Sequence, residues 1–394
     1  MRNTPAVIGV GMLRVGKHPG RSPLDLAVEA GLKALRDAGV DRDEVQGLFI
    51  TPEGFAIPNS QMLAARLNEV FGFKGLRSLS KFECGGVSSG LALRYAADDI
   101  ILKKNEVCLV LASDMTFGEP PEDIVPFLRQ AAMIQGGLYG PYDAPYGLGA
   151  PVPYYAMATQ RYMYENGIAP ESIAALPVLL RKNASKNPLA QFRDEITVQD
   201  VLSSRMVSPP VHLLECCPLS DGAAALVLAS PKRAKKAKKP PIWITAMGEF
   251  HDSSHFYPKE GPMTSFPCVM KSAEEAYGQA RIKPKDIQVA EVYGVFAATE
   301  LMVYEELGFF KKGQAADALK EGATAIGGQI AMNPSGGRLS LGHPATATPL
   351  LEAGEIVLQL RKEAGERQVS GARRGLVHAE HGMLNGSMVF ILES

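Results

Sequence analysis

The sequence predicts a layered α/β protein built from two similar halves. Short apolar segments alternate with segments whose apolar residues recur at helical spacing, the pattern of strands and helices packed in layers. A lysine-rich segment at 232–241 separates two apolar segments and ends in two prolines, as expected for an interdomain linker. Each half also places one reactive side chain, Cys84 or His343, before a helix opened by small residues. This shared arrangement favours an internal duplication.

Composition indicates an ordinary globular protein. The 394 residues include 41 Lys and Arg against 42 Asp and Glu, so the net charge is −1. Hydrophobic residues make up 46% and charged residues 21%, which excludes a disordered chain, and the basic excess of a nucleic-acid binder is missing. A chain this long implies two or three domains. We place one boundary at the linker, giving a first half at 1–240 and a second half at 241–394.

Cysteine usage and hydropathy bear on the compartment. Five scattered cysteines argue against a disulfide framework and for a reducing environment. No apolar run approaches the roughly 18 residues that a membrane span needs. We therefore expect a cytoplasmic protein with no membrane or nucleic-acid partner.

In the first half, the pair Ser22-Pro23 predicts a helix start, and Gly39 predicts its end. The pattern then predicts a strand at 45–51, helices at 61–71 and 84–102, and a strand at 106–113. Residues 114–210 depart from this alternation, with a Gly-, Pro- and Tyr-rich loop at 134–153 and helices at 156–166 and 170–184. Such an excursion is typical of a substrate-covering loop domain, although a plain insertion gives the same composition.

In the second half, the same alternation returns. It predicts helices at 271–280, 296–307 and 346–362, a strand at 287–294, and a closing hairpin at 375–393.

Cys84 is a candidate nucleophile. It lies in the segment ECGGVSSGLALRYA, where glycines allow close approach of a substrate. At a helix N-terminus, the macrodipole is expected to lower the thiol pKa and favour the thiolate. A buried structural cysteine is the alternative, and the local sequence does not separate the two.

His343 is a candidate base, because an imidazole accepts a thiol proton near neutral pH. It follows the glycine-rich segment that begins at Asn333 and contains Gly336 and Gly337. The other histidine pair, His251 and His255, lacks a third ligand in sequence, so we predict no metal site.

The sequence resembles the thiolase superfamily over essentially its whole length. Four ordered motifs carry the resemblance: ECGGVSSGLALRYA, CPLSDGAAALVLAS, EVYGVF and NPSGGRLSLGHP. The segments RYMYENG and KNASKNP are most similar to the sterol-carrier-type branch, with archaeal-like relatives. The resemblance implies two stacked βαβαβαββ halves in a five-layer α/β/α/β/α core with an inserted loop domain.

Two positions depart from the family pattern. Tyr293 stands where the family has the Asn or His that helps to bind the oxyanion, and a phenol is also able to donate a hydrogen bond there. Counting from Gly375, the second catalytic cysteine of the family is replaced by Glu380. We favour Glu380 as the replacement acid and base, with His381 and His378 as alternatives and Asn333 as a further site candidate.

The resemblance implies an acyltransferase that cleaves a 3-oxoacyl-CoA with coenzyme A through an acyl-Cys84 intermediate. The two departures suggest a bulky or carboxylated acyl group, with benzoylsuccinyl-CoA as one example. Two alternatives stay open: a retro-aldolase acting on a 3-hydroxyacyl-CoA, and a non-catalytic acyl-CoA-binding subunit. Tyr293 fits the retro-aldolase, whereas the retained Cys84 and His343 favour the thiolase.

Coenzyme A is expected as a substrate and not as a tightly bound cofactor. We expect its contacts within 114–210 and near Gly336, Gly337 and Gly382. The resemblance also implies a homodimer, and it extends to thiolase subunits that work with a small zinc-ribbon/OB-fold partner.

Overall fold

The computed structural model describes residues 4–51, 62–115, 148, 151–252, 261–382 and 384–394. Most of the Gly-, Pro- and Tyr-rich loop predicted at 134–153 lies outside these residues, as does His255. No helix in the described part of the chain is long and apolar enough to cross a bilayer.

The first half alternates strands and helices as predicted. Its elements, in chain order, are β1 (Ala6–Met12), α1 (Pro23–Ala38), β2 (Gly47–Ile50), α2 (Leu63–Phe71), β3 (Ser78–Lys81), α3 (Ser88–Ile101) and β4 (Val107–Asp114). After the excursion come α4 (Pro151–Asn166), α5 (Pro170–Ser185), α6 (Val198–Ser203), β5 (Met206–Ser208), β6 (Val211–His212), β7 (Gly222–Ala229) and the short α7 (Pro231–Ala234).

The second half begins one residue after the predicted linker. Its elements are β8 (Ile242–His251), α8 (Pro267–Ala280), β9 (Val289–Val292), α9 (Ala297–Glu306), α10 (Ala315–Lys320), β10 (Ala331–Met332), α11 (Gly337–Ser340), α12 (Thr348–Arg361), β11 (Arg374–His381) and β12 (Gly386–Glu393).

The two ends of helix α1 show how the local sequence determines where a helix begins and ends. The Ser22 hydroxyl accepts the backbone N–H of Asp25, and the Asp25 carboxylate accepts the N–H of Ser22, which is a capping box. At the other end Gly39 has φ +59°, the left-handed conformation that glycine adopts without strain. The predicted start and stop of this helix are confirmed.

The sheet topology shows that the two halves repeat one plan. Ten strands are joined in the order β10-β9-β11-β12-β8-β1-β7-β4-β2-β3. When the five strands that each half contributes to this sheet are ranked along the chain, both halves have the order 3-2-4-5-1 from the outer edge inward. Strands β1 and β8 pair antiparallel at the junction, where Ala6 faces Trp243. The duplication suggested by Cys84 and His343 is therefore visible in the backbone.

Three apolar cores lie between the layers. The central core joins the strands of both halves and includes Ala96 of α3 and Ile356 of α12. A second core packs α1 and α2 on the outer face of the first half, and a third packs α8 and α9 against the second half. The resulting order of layers is α/β/α/β/α, which confirms the predicted fold. Helices α3 and α12 form the central layer, so the segments before them meet inside the molecule.

Candidate active site

Cys84 lies just before the central helix α3. A 3-10 turn, Gly85–Val87, separates it from the first residue of the helix. The backbone N–H of Cys84 donates to the Ser88 hydroxyl at 2.9 Å, and that hydroxyl donates to the Gly85 carbonyl at 2.6 Å. These bonds fix the turn and hold the thiol at the N-terminal end of α3.

The predicted lowering of the Cys84 thiol pKa is wrong for this structure. Burial raises the pKa of the Cys84 thiol, and the negative charges of Glu83 and Glu249 raise it further. Burial and the two carboxylates therefore outweigh the helix dipole at this position. The resting side chain is therefore a thiol, and its attack requires a nearby base.

Two histidines supply imidazole nitrogens beside this thiol. The side-chain ligand atoms of Cys84, His251 and His381 all lie within 4.8 Å of one another. The Nδ1 atom of His251 is 2.9 Å from Nε2 of His381, and the two rings are stacked. Among the described residues this is a grouping of metal-ligand type, although the sequence predicts no metal.

Strand register explains why the two histidines meet. Gly386 at the start of β12 pairs with His251 of β8 on one side and with His381 of β11 on the other. A Cβ at position 386 would lie 2.5 Å from His251 Nδ1. Glycine at this position therefore leaves the space in which the two rings approach each other.

His343 contacts Tyr293. The Tyr293 hydroxyl is 2.7 Å from His343 Nε2, and Cys217 Sγ is 3.6 Å from Nδ1. The His343 backbone N–H donates to Ser220 Oγ at 3.0 Å, which fixes the residue before α12. Burial, assisted by the positive charge of Arg338, lowers the pKa of His343 to about 3, so the imidazole is neutral.

Tyr293 lies against the Cys84 turn. Burial raises its pKa well above the usual range, so the side chain is a neutral phenol. A Cβ at Gly86 would lie 2.6 Å from the Tyr293 hydroxyl oxygen and would collide with the carbonyl oxygen of Glu380. Glycine at position 86 is what lets the turn after Cys84 reach both Tyr293 and the end of β11. The structure thus brings the Cys84 turn, Tyr293 and His343 together.

Glu380 and His378 point away from the Cys84 side of β11. Side chains alternate along a strand, and the odd-numbered Val377 and Ala379 face the central core where Cys84 packs. The even-numbered Leu376 faces the opposite core. Glu380 was predicted at the position of the second cysteine. The side chain that meets Cys84 is that of His381, one residue later.

Burial keeps these three side chains neutral. It raises the pKa of Glu380 well above its usual range, and the Glu352 and Glu300 charges add to the effect. It lowers the pKa of His378 to about 3, and neither ring nitrogen of His378 has a hydrogen-bond partner. Burial and His251 lower the pKa of His381 to about 4. The acid–base assignment of Glu380 therefore stays a prediction, with His381 better placed.

Asn333 and the two neighbouring glycines serve the framework. The Asn333 side chain accepts the N–H of Val292 at 2.6 Å and donates to Val292 O and Glu300. Gly336 has φ +106°, and a Cβ there would lie 2.6 Å from Ala184 of α5. Asn333 therefore fixes the segment before α11 to β9 and α9, and Gly336 lets that segment approach α5. The described contacts leave no amide group of Asn333 free for substrate.

A buried cluster of charged residues underlies the site, and no sequence motif revealed it. Arg338 is fully buried, 3.5 Å from Glu352 and 3.9 Å from Glu291. Burial raises the pKa of Glu291 to about 7 and that of Glu300 to about 8. Both oxygens of Glu352 lack a hydrogen-bond partner. The cluster is thus largely protonated at neutral pH, apart from the guanidinium.

Comparisons with known proteins agree with this architecture. A family model described as "Thiolase C-terminal domain-like" matches residues 248–394. The chain is 33% identical over 375 residues to acetyl-CoA acetyltransferase of Methanothermobacter thermautotrophicus, covering 95% of both chains. It is 32% identical to sterol carrier protein 2 of Gallus gallus, covering 96% of this chain and 70% of that one. It is 28% identical to benzoylsuccinyl-CoA thiolase subunit BbsB of Thauera aromatica, covering 93% and 92%.

One solved structure is similar over the full length. It is described as an Ltp2-ChsH2(DUF35) aldolase, with a TM-score of 0.84 and 28% identity, covering 100% of this chain and 98% of that one. The two halves share the strand order 3-2-4-5-1 and define a duplicated α/β protein. Its candidate site combines Cys84 of the first half with His251 and His381 of the second. More specifically, the chain belongs to the thiolase superfamily, in its sterol-carrier-type branch.

Sequence reasoning missed His251 and Glu249. His251 was considered only as a metal ligand paired with His255. A weak signal was present, because Glu249 and His251 alternate at the end of an apolar strand and so share one face. Pairing this strand with β12, and β12 with β11, required the register that only the structure gives.

Proposed function

We propose that this protein is a thiolase that forms an acyl thioester on Cys84. The observation that carries the proposal is the convergence of Cys84 with the imidazoles of His381 and His251 within 4.8 Å. A thiol beside a base is the arrangement that covalent acyl transfer requires. Membership of a superfamily that includes acetyl-CoA acetyltransferases supports the same reaction.

The reaction follows from the positions of these groups. Cys84 Sγ attacks C3 of a 3-oxoacyl-CoA, and the bond between C2 and C3 breaks. Its electron pair stays on C2 and gives the enolate of a shorter acyl-CoA, which takes a proton. The sulfur of a second coenzyme A then attacks the acyl group on Cys84 and releases the thiolate.

His343 and Tyr293 are assigned to the oxygen of the reacting carbonyl. Both are neutral and hydrogen-bonded to each other, and a phenol in a buried site is a strong hydrogen-bond donor for developing negative charge. His381 is assigned to proton transfer on the Cys84 side. Glu380, also protonated, lies on the opposite face of β11 from Cys84, where its carboxyl group bonds to the Tyr155 hydroxyl and is close to Tyr293 and Cys217.

The test is a covalent adduct. The protein is incubated with acetoacetyl-CoA, digested, and the Cys84 peptide is examined by mass spectrometry for an added acetyl group. We expect the adduct in the wild-type chain and neither adduct nor thiolysis in Cys84→Ala. Cys268→Ala, a buried cysteine of another core, is the matched control and should retain both. Thiolysis that survives Cys84→Ala would refute the proposal.

The contact between Tyr293 and His343 supports a second candidate, a retro-aldolase. A phenol hydrogen-bonded to a neutral imidazole is suited to pass the proton of a 3-hydroxyl group on to that imidazole. The similar structure described as an aldolase adds weight to this candidate. Cys84→Ala distinguishes the two, because it should still release a carbonyl product from a 3-hydroxyacyl-CoA if the chain is an aldolase. Binding of both substrates without turnover would instead indicate a non-catalytic subunit.

The finer assignments are also proposals. The acyl group is taken to be bulky or carboxylated, and the relative named as a benzoylsuccinyl-CoA thiolase subunit supports testing benzoylsuccinyl-CoA. Two similar proteins support a small partner chain for this one: the benzoylsuccinyl-CoA thiolase subunit BbsB and the Ltp2-ChsH2(DUF35) aldolase. Co-purification of a small zinc-containing chain would support this partner, and full activity of the isolated chain would contradict it.

A further inference from the structure

The imidazole pair beside Cys84 continues into a carboxylate. His381 Nε2 is 2.9 Å from His251 Nδ1, and His251 Nε2 is 2.8 Å from Glu249 Oε1. The three side chains therefore form one hydrogen-bonded line that begins beside the thiol and ends on β8. The mechanism proposed above assigns no chemical role to Glu249 or His251.

The chemistry of the groups decides where the protons lie. An ionised carboxylate only accepts hydrogen bonds, so His251 carries its proton on Nε2 and leaves a lone pair on Nδ1. Two bare nitrogens at 2.9 Å would repel each other, so the contact with His381 Nε2 requires one proton between them. At rest that proton is on His381 Nε2, which donates to His251 Nδ1, and Nδ1 of His381 keeps a lone pair.

The surroundings fix the carboxylate end of this line. Arg94 of α3 lies 3.1 Å from Glu249 Oε2, opposite the oxygen that faces His251. The Glu249 backbone N–H donates to Glu275 of α8 at 2.9 Å, and Lys271 of the same helix lies over the Phe250 ring. The remaining charge near the thiol is that of Glu83. Glu249 is therefore held in place by residues of α3 and α8, and its Oε1 atom accepts the hydrogen bond from His251.

We propose that Glu249, His251 and His381 form a proton relay for Cys84, which rests on the nucleophilic role proposed for that cysteine. As Sγ attacks the carbonyl carbon, the S–H bond breaks and the proton passes to Nδ1 of His381, the nitrogen of the pair that still carries a lone pair; His381 Nε2 in turn passes its proton to His251 Nδ1. The sulfur electron pair forms the S–C bond, and the carbonyl π electrons move to oxygen. The pair then carries one positive charge, which lies next to the Glu249 carboxylate. The same proton passes to C2 of the leaving enolate, which returns the pair to its resting state.

This relay divides the chemistry between two sides of the site. His343 and Tyr293 act on the acyl oxygen, whereas the relay moves the proton between sulfur and carbon. A histidine one residue after Glu380, supported from another strand, then performs the acid–base role of the missing second cysteine. His251 and Glu249 are positioning residues in this scheme, because they act through His381.

The test measures acylation of Cys84 by S-acetyl-N-acetylcysteamine, a small thioester, followed over time by mass spectrometry. General acid–base groups contribute factors of about 10² to 10⁴, so His381→Ala should lose at least a hundredfold in rate. His251→Gly should lose about tenfold or more and recover with added imidazole, because the His251 side chain is 35% exposed and its vacated space is open to solvent. Methylated imidazoles should restore the rate in the order of their basicity. Glu249→Gln, which keeps the size but not the charge, should also be slow.

His18→Gly is the matched control, since the ring of this half-buried histidine bonds to the Arg14 carbonyl and the substitution keeps the backbone N–H that donates to Asp221; it should show no loss and no rescue. An unchanged rate in both His251→Gly and Glu249→Gln would overturn the relay, as would a loss that no imidazole restores in a protein that melts like the wild type. If wild-type Cys84 is acetylated but no 3-oxoacyl-CoA is cleaved, the proposed function fails and the relay stands. If Cys84 is never acetylated, both fail.

Discussion

The Tyr293 hydroxyl lies 2.7 Å from Nε2 of His343 and joins the end of β9 to the turn before α12. The same hydroxyl lies against Gly86, so it also borders the turn that carries Cys84. One phenol therefore touches the corresponding segments of both halves of the duplicated fold. This position makes it the group best placed to stabilise negative charge on the acyl oxygen.

Tyr293→Phe should lower kcat for acetoacetyl-CoA thiolysis by about a hundredfold, the usual cost of one lost donor to an oxyanion. KM should change little, because the hydrogen bond is strongest in the transition state. Steady-state kinetics at saturating coenzyme A provide the measurement. Tyr277→Phe removes a buried hydroxyl that donates to Leu307 O, far from the site, and should leave kcat unchanged. A Tyr293→Phe protein as active as the wild type would remove Tyr293 from the mechanism.

Burial of His343 and His381 determines how the rate of Cys84 acetylation depends on pH below neutrality. The pKa of His343 is lowered to about 3 and that of His381 to about 4, so both imidazoles stay neutral from about pH 5 upward. The rate of Cys84 acetylation should therefore show no titration near the ordinary imidazole value of about 6.5. Initial rates between about pH 5 and pH 8, on protein shown to remain folded, test this. A clear loss of rate below about pH 6.5 that persists in His251→Gly would show that His343 or His381 is protonated in the resting enzyme.

Much of the fold was predictable from the sequence because local signals agreed with the global arrangement. The capping residues at Ser22 and Gly39 and the apolar alternation placed the helices and strands within a few residues. Cys84 and His343 were recognisable for a related reason, since each lies at a helix start whose small residues are visible in the sequence. These features depend on neighbours in the chain.

The rest of the site depends on contacts between distant segments. The meeting of His251 with His381 requires the register of three strands, and a shift of one residue would turn each side chain to the opposite face. That is also why Glu380 was favoured over His381 when residues were counted from Gly375. The buried position of Arg338 among carboxylates had no local signal, because a charged residue gives no sign in sequence of the partners that bury it.

The buried carboxylates predict an unusual dependence of stability on pH. The pKa of Glu300 rises from 4.5 to about 8 on folding, so the folded chain binds a proton that the unfolded chain has lost. Its contribution is complete below about pH 4.5 and is lost as the pH rises through about 8, at about 1 kcal/mol per pH unit. Glu300→Gln keeps an oxygen for Asn333 and removes the titration, so its stability should fall less steeply with pH.

Urea unfolding at several pH values between about 5 and 8 measures this difference. Glu274→Gln, at an exposed position of α8, is the control and should run parallel to the wild type. If the Glu300→Gln curve is also parallel to that of the wild type, Glu300 is ionised in the folded protein.

The convergence of Cys84, His251 and His381 predicts that added Zn²⁺ inhibits the enzyme. Tetrahedral zinc places sulfur and nitrogen ligands about 3.3 to 3.7 Å apart at its usual bond lengths, and these three atoms already lie within 4.8 Å. Glu249 accepts from His251 Nε2, as carboxylates do behind zinc-bound histidines. Because zinc displaces the thiol proton and occupies Sγ, alkylation of Cys84 by iodoacetamide should slow about tenfold or more at saturating Zn²⁺. Chelation should reverse the effect, and His251→Ala should abolish it while His18→Ala does not. Equal protection in His251→Ala would mean that zinc binds the thiol without the imidazole pair, and that the two rings do not face Cys84 as described.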